Sequence, residues 1–151
     1  MADDNLAHET ATAGDAAVDG LFAGFSAGVL MAAYLVLAGL VAGEGPGAVL
    51  GRFAAAGAAP PLLGALSHLA ASAVDGMVFA LGWRLVRRAG WSRLPAWSGG
   101  LLFAAALLLV AELAILPASS SPLREIPLVH FAVAHVVYGM ALGWLVGRRV
   151  M

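Results

Sequence analysis

Four long apolar segments constrain the fold of this chain more than any other feature of its sequence. They cover about residues 16–42, 62–86, 98–116 and 127–146. Each is close to or above the length of about 20 residues that crosses the hydrocarbon core of a bilayer. Hydrophobic residues make up 62% of the chain and charged residues only 11%, whereas soluble domains carry about 25% charged residues. The sequence therefore predicts an all-α fold, an integral membrane bundle of four antiparallel transmembrane helices.

The segments between and before the apolar runs are short and polar. Residues 1–15 are acidic and rich in small residues, which is typical of a disordered tail. We therefore expect a disordered cytoplasmic tail over 1–15 and a transmembrane domain over 16–149. A Gly- and Pro-rich loop over 43–61 predicts a short interfacial helix around 48–56.

Arginine positions predict the orientation, because positive residues concentrate in cytoplasmic loops. One side of the bundle carries only Arg52 and Arg124. The other side carries Arg84, Arg87, Arg88, Arg93, Arg148 and Arg149, and an aromatic belt of Trp83, Trp91, Trp97 and Trp144 is expected there. We expect a multi-pass protein of the inner (cytoplasmic) membrane with both termini in the cytoplasm. The net charge of −1 leaves no basic surface for nucleic acid.

Small residues recur every four positions along the predicted helices, and such faces let helices approach closely in lipid. The glycines assigned to helix packing are Gly20, Gly24, Gly28, Gly64, Gly76, Gly139 and Gly143. The same faces suit contacts with a second copy of the chain or with a larger membrane complex.

Three ionisable residues lie at similar depth in the outer half of the bundle. Counted at about 1.5 Å per residue, His68, Glu112 and His135 fall within about one helical turn of each other. One interpretation is structural, with hydrogen bonds among these side chains and backbone carbonyls fixing the register. A second is bis-histidine ligation of haem b by His68 and His135. A third is a divalent metal or proton relay using His68, Glu112, His135 and His130.

Asp75 lies about two turns deeper than His68. A carboxylate at this depth is expected to be protonated or paired, because desolvation disfavours the charged form. Tyr34 and Tyr138 are candidate partners, and Arg84 is a more distant one. Asp75 is either a neutral carboxyl bonded across a helix interface or an intramembrane proton site.

Several short phrases, spread over most of the chain after residue 16, resemble a family of small bacterial four-helix inner-membrane proteins, a domain family of unknown function. They are the glycines from Gly20 to Gly28, the stretch from Gly64 to His68, Leu116-Pro117, the stretch from His135 to Gly139, and Leu142-Gly143. The resemblance implies a four-helix membrane fold and carries no activity with it.

The functional prediction is a small membrane protein without catalytic activity, in contact with the lipid bilayer and serving as an accessory or assembly subunit. No nucleophile elbow, phosphate loop or dinucleotide fingerprint occurs, and there are no cysteines. One alternative is an electron-transfer protein that binds haem b or a metal through His68 and His135. The other is a small proton-coupled carrier that uses Asp75.

Overall fold

A computed structural model describes residues 12–54, 57, 59–90 and 94–149. The fold is all-helical, and four of its helices are long and apolar enough to cross a membrane. The elements are α1 (Ala13–Val41), the short α2 (Pro46–Gly51), α3 (Pro61–Arg88), α4 (Ala96–Ala118), a 3₁₀ turn (Pro122–Glu125) and α5 (Leu128–Arg149). Large apolar side chains such as Leu62, Leu102 and Leu113 are exposed on the outer surface, as expected of helices that face lipid.

The first helix begins at Ala13, three residues before the expected position. Thr12 and Asp15 form a capping box: the Thr12 hydroxyl accepts from the Asp15 amide at 3.1 Å, and the Asp15 carboxylate accepts from the Thr12 amide at 2.7 Å. This pair satisfies two amides that would otherwise lack partners. Part of the segment expected as a tail is therefore helical, and residues 1–11 lie outside the described residues.

The fourth helix continues past Pro117, where the sequence predicted its end. Proline lacks an amide hydrogen and crowds the carbonyl four residues before it. The helix accommodates it by widening into a π-helical turn at Ala111–Ile115, in which the Leu116 amide donates to the Ala111 carbonyl. The helix then ends at Ala118, and the Arg124 guanidinium donates to the carbonyl of Leu116.

Two helix pairs build the bundle, and glycines set their spacing. Helix α1 packs along α3, and α4 packs along α5. At the first crossing, the backbone of Gly24 lies against that of Gly76; at the second, Gly100 lies against Gly139 and Gly143. The two pairs are joined mainly by α1 against α5, whereas α3 and α4 make few contacts with each other.

The remaining glycines of the predicted packing set have different neighbours. Gly20 also faces α3, and Gly28 receives the side chain of Ser72. Gly64 packs against the Leu50 carbonyl of the short helix α2 rather than against another long helix. These glycine faces are therefore occupied within the chain.

Trp83 lies in the core and not in the aromatic belt predicted for it. Its ring is only 6% exposed, stacks on Phe79 at 6.0 Å between ring centroids, and fills the slot left beside Gly99, where a side chain would collide with it. Trp97 and Trp144 are exposed at the same end of the bundle, and the Arg148 guanidinium lies 4.0 Å from the Trp144 ring centroid. Trp91 lies outside the described residues.

Candidate functional site

A cavity of about 460 Å³ lies between the helices, in the half of the bundle nearest the loops after α1 and α4. Side chains from α1, α3, α4 and α5 line it, and most of the wall is apolar. Its polar lining residues are His68, Ser72, Asp75, His135 and Tyr138. Two histidines and a carboxyl group therefore face one space at a depth where polar side chains are costly.

His68 is held against the first helix. Its Nε2 lies 3.1 Å from the Gly28 carbonyl oxygen, and since a carbonyl only accepts, the neutral ring donates from Nε2 and keeps Nδ1 as an acceptor. The ring centroid lies 4.7 Å from that of Phe53, a residue of the loop after α2 that also lines the cavity. His68 is thus oriented by two elements other than its own helix.

His135 is oriented by its own helix. Its ring is buried, and Nδ1 lies 2.8 Å from the Phe131 carbonyl one turn earlier. The Phe131 ring meets it edge-on, with centroids 4.6 Å apart. The neutral ring therefore donates from Nδ1 and keeps Nε2 as an acceptor. His68 and His135 are close enough for a charge on one to affect the other.

Asp75 and Tyr138 form the deeper part of the wall. The Tyr138 hydroxyl donates to the Ser72 carbonyl at 2.8 Å and lies within electrostatic range of Asp75. The Asp75 carboxyl is half-buried and makes no hydrogen bond to any other described residue. Of the two predicted tyrosine partners, Tyr138 lies near Asp75, whereas the Tyr34 hydroxyl lies 3.0 Å from Nδ1 of His130.

Glu112 and His130 lie outside the cavity wall. Glu112 belongs to the π-helical turn and lines a separate groove of about 450 Å³ beside Arg124 and Glu125, although it is within electrostatic range of His135. His130 pairs with Tyr34 of α1. Among the described residues, no three His, Asp or Glu side chains converge in a way that holds a metal ion. Of the four residues predicted as metal ligands, the structure places His68 and His135 on one cavity. Glu112 and His130 lie outside it.

An ion-pair cluster joins the loop after α1 and the loop after α4. Arg52, after α2, donates to Glu44 in the first loop and to Glu125 in the 3₁₀ turn, at 2.9 Å in the second case. Hydrogen bonding to Glu44 is the main reason why the pKa of Arg52 lies above its usual value. The cluster ties together the two loops that place Phe53 and Leu123 on the cavity wall. This cluster was not predicted from the sequence, where its signal is the opposite charges of the loops that follow α1 and α4.

No known protein family, curated protein or solved structure matches this chain. The resemblance to a family of small bacterial inner-membrane proteins stays a prediction.

Proposed function

We propose that this chain is a non-catalytic membrane protein that binds a small apolar molecule with a polar head. The observation that supports this most is the shared cavity of His68, Asp75 and His135. Its volume falls within the range of about 300–1,000 Å³ typical of small-molecule sites. An apolar wall with a few convergent polar groups is the usual character of such sites.

The ligand enters sideways, from the bilayer. Helices α3 and α4 make few contacts with each other, and residues of both line the cavity. Ala71 of α3 and Val110 of α4 line the cavity and are also exposed on the outer surface of the bundle. An apolar molecule dissolved in the lipid therefore reaches the histidines without crossing the polar outer loops.

Replacing Ala71 with tryptophan is expected to close this site, because an indole at that position occupies the entrance and part of the cavity. We expect a small apolar molecule to co-purify with the wild-type protein and to fall at least about tenfold in Ala71→Trp, which corresponds to about 1.4 kcal/mol of binding free energy. Mass spectrometry of organic extracts from equal amounts of purified protein measures this.

Ala70→Trp is the matched control. Ala70 neighbours Ala71 on the same helix and is also exposed, but it does not line the cavity. This variant is expected to retain the co-purifying molecule. An equal loss in both variants, or no loss in Ala71→Trp, contradicts the proposal.

A second candidate function is electron transfer by a bound haem b or metal. It is favoured by the shared cavity and by the carbonyl bond that each histidine makes, since metal-bound histidines usually donate their other ring N–H in this way. A histidine that ligates haem iron uses Nε2, the ring nitrogen farthest from the backbone. His135 offers its Nε2, whereas Nε2 of His68 is bonded to Gly28, so His68 has to turn before it ligates a haem.

The absorption spectrum of the detergent-solubilised protein tests this candidate. The ligand-binding proposal expects no Soret band and no stoichiometric metal. A Soret band that disappears in both His68→Ala and His135→Ala shows a haem bound by both histidines and favours the electron-transfer candidate instead. The two single variants matter because a bis-histidine haem needs both imidazoles.

We further propose the inner membrane as the location, with both termini in the cytoplasm, on the strength of the arginine distribution. An accessory role in a larger complex, or as a homo-oligomer, also stays a proposal. Since the glycine faces are occupied within the chain, a protein partner has to use the exposed apolar surface of the helices.

A further inference from the structure

The hydrogen-bonding groups that remain free in the cavity are almost all acceptors. His68 donates from Nε2 to Gly28 and His135 donates from Nδ1 to Phe131. Each neutral imidazole therefore has one remaining nitrogen, and that nitrogen accepts. Neither of these two nitrogens is bonded to another part of the chain that the structure describes.

The other polar groups of the wall add acceptors and no free N–H. The hydroxyl hydrogen of Tyr138 is used by the Ser72 carbonyl, so its oxygen lone pairs remain. The Ser72 hydroxyl packs against Gly28 of α1 and can donate as well as accept. In its ionised form Asp75, which is unpaired within the described residues, offers two more acceptor oxygens. Acceptors therefore outnumber donors on this wall, and a ligand that satisfies them donates hydrogen bonds.

We propose that the cavity binds an apolar organic ammonium ion, and that this cation replaces the proton on Asp75. The inference rests on the ligand-binding function proposed above and names its ligand class. An unpaired carboxylate is unfavourable at this depth, so Asp75 carries a proton when no cation is present. The carboxylic acid and the incoming ammonium ion give a carboxylate–ammonium pair and one released proton, so charge and protons balance.

The groups that share the cavity with Asp75 are hydrogen-bond acceptors, aromatic rings and apolar side chains. His68 on its own helix and His135 and Tyr138 on α5 are the titratable side chains that share its cavity. From α4, Glu112 acts on His135, and α1 contributes the apolar Met31 and Leu35. The rings of Phe53 and Phe131 line the same space, and aromatic faces attract ammonium groups.

Two probes of matched shape test the inference. Dibenzylamine is an ammonium ion at neutral pH with two N–H donors, whereas dibenzyl ether has the same skeleton without charge or donor. Isothermal titration calorimetry of the full chain in detergent is expected to show the amine binding about tenfold or more tightly than the ether, the usual effect of a hydrogen bond to a charged group. Titrations in two buffers of different ionisation enthalpy are expected to show about one proton released per amine bound.

Asp75→Asn is expected to reduce the amine affinity about tenfold to a hundredfold and to abolish proton release, with the ether affinity unchanged. Asp19→Asn is the control, since Asp19 has the same local sequence, Ala-Val-Asp-Gly, but lies at the end of the bundle away from the cavity. If Asp75→Asn does not fold, proton release by the wild type decides: amine binding without proton release overturns the inference.

The outcomes separate this inference from the proposed function. If amine and ether bind equally to the wild type and both lose affinity in Ala71→Trp, the cavity binds ligands and the ammonium inference is wrong. If neither probe binds, the ammonium inference is overturned. In that case the co-purification result for Ala71→Trp still decides the proposed function by itself.

Discussion

Replacing Gly76 with alanine is expected to lower the melting temperature of the protein by about 2–12 °C. A Cβ atom at this position lies 2.6 Å from the Gly24 backbone nitrogen and also collides with the Gly20 carbonyl. Backbone atoms cannot rotate away as a side chain does, so α1 and α3 have to separate. Overpacking of this kind costs about 1–3 kcal/mol, and each kcal/mol corresponds to about 2–4 °C in a domain of about this size.

Gly82→Ala is the matched control, because it adds the same methyl group to the same helix. Nothing lies within 4 Å of a Cβ atom built at Gly82, and Gly82 is exposed. Alanine is the better helix former by about 1 kcal/mol, so this variant is expected to melt at the wild-type temperature or slightly above it. Thermal unfolding followed by circular dichroism in detergent measures both variants. Equal melting temperatures for Gly76→Ala and Gly82→Ala contradict a glycine-determined crossing.

The helical membrane fold was predictable because its signal is local. Each long helix is a continuous apolar run, and length and composition suffice to recognise it. The early start of α1 was also readable, since Thr12 and Asp15 have the spacing of a capping box. The continuation of α4 through Pro117 was not readable, because it depends on a π-helical turn that the local sequence does not specify.

The sequence predicted how far along their helices the candidate site residues lie, but not which way their side chains face. Counting residues along the helices placed His68, Glu112 and His135 at similar depth, and the structure brings two of them to one cavity. Glu112 lies in the π-helical turn and faces a different groove. Which side chains meet depends on the rotation of each helix and on which helices pair, and both are set by contacts between distant segments.

The cavity itself has no signature in the sequence. It lies where α1 pairs with α3 and α4 pairs with α5, while α3 and α4 make few contacts with each other. The glycine stripes indicated close packing without indicating the partner of each stripe. Gly100, which the sequence analysis did not select, lies at the centre of the second crossing. Which helices pack against each other is therefore seen only in the structure.

Single cysteines on the two faces of the bundle are expected to react from opposite sides of the membrane. The native chain has no cysteine, so every label reports the introduced residue. We expect a membrane-impermeant maleimide to label Ser120→Cys in intact spheroplasts and to label Ala89→Cys only after the membrane is permeabilised. Both positions are exposed, and they lie at opposite ends of the long helices. The difference in labelling between the two cysteines in intact spheroplasts is therefore expected to be nearly all or none.

The expected direction follows from where the arginines are and what they contact. The loop face that holds Ser120 has two arginines, and both are engaged: Arg52 by Glu44 and Glu125, and Arg124 by the Leu116 carbonyl. The opposite face has the larger set of arginines, and the positive-inside rule predicts that this face is cytoplasmic. If the maleimide labels Ala89→Cys and not Ser120→Cys in intact spheroplasts, the topology is the opposite of the predicted one. In that case the cavity opens nearer to the cytoplasm.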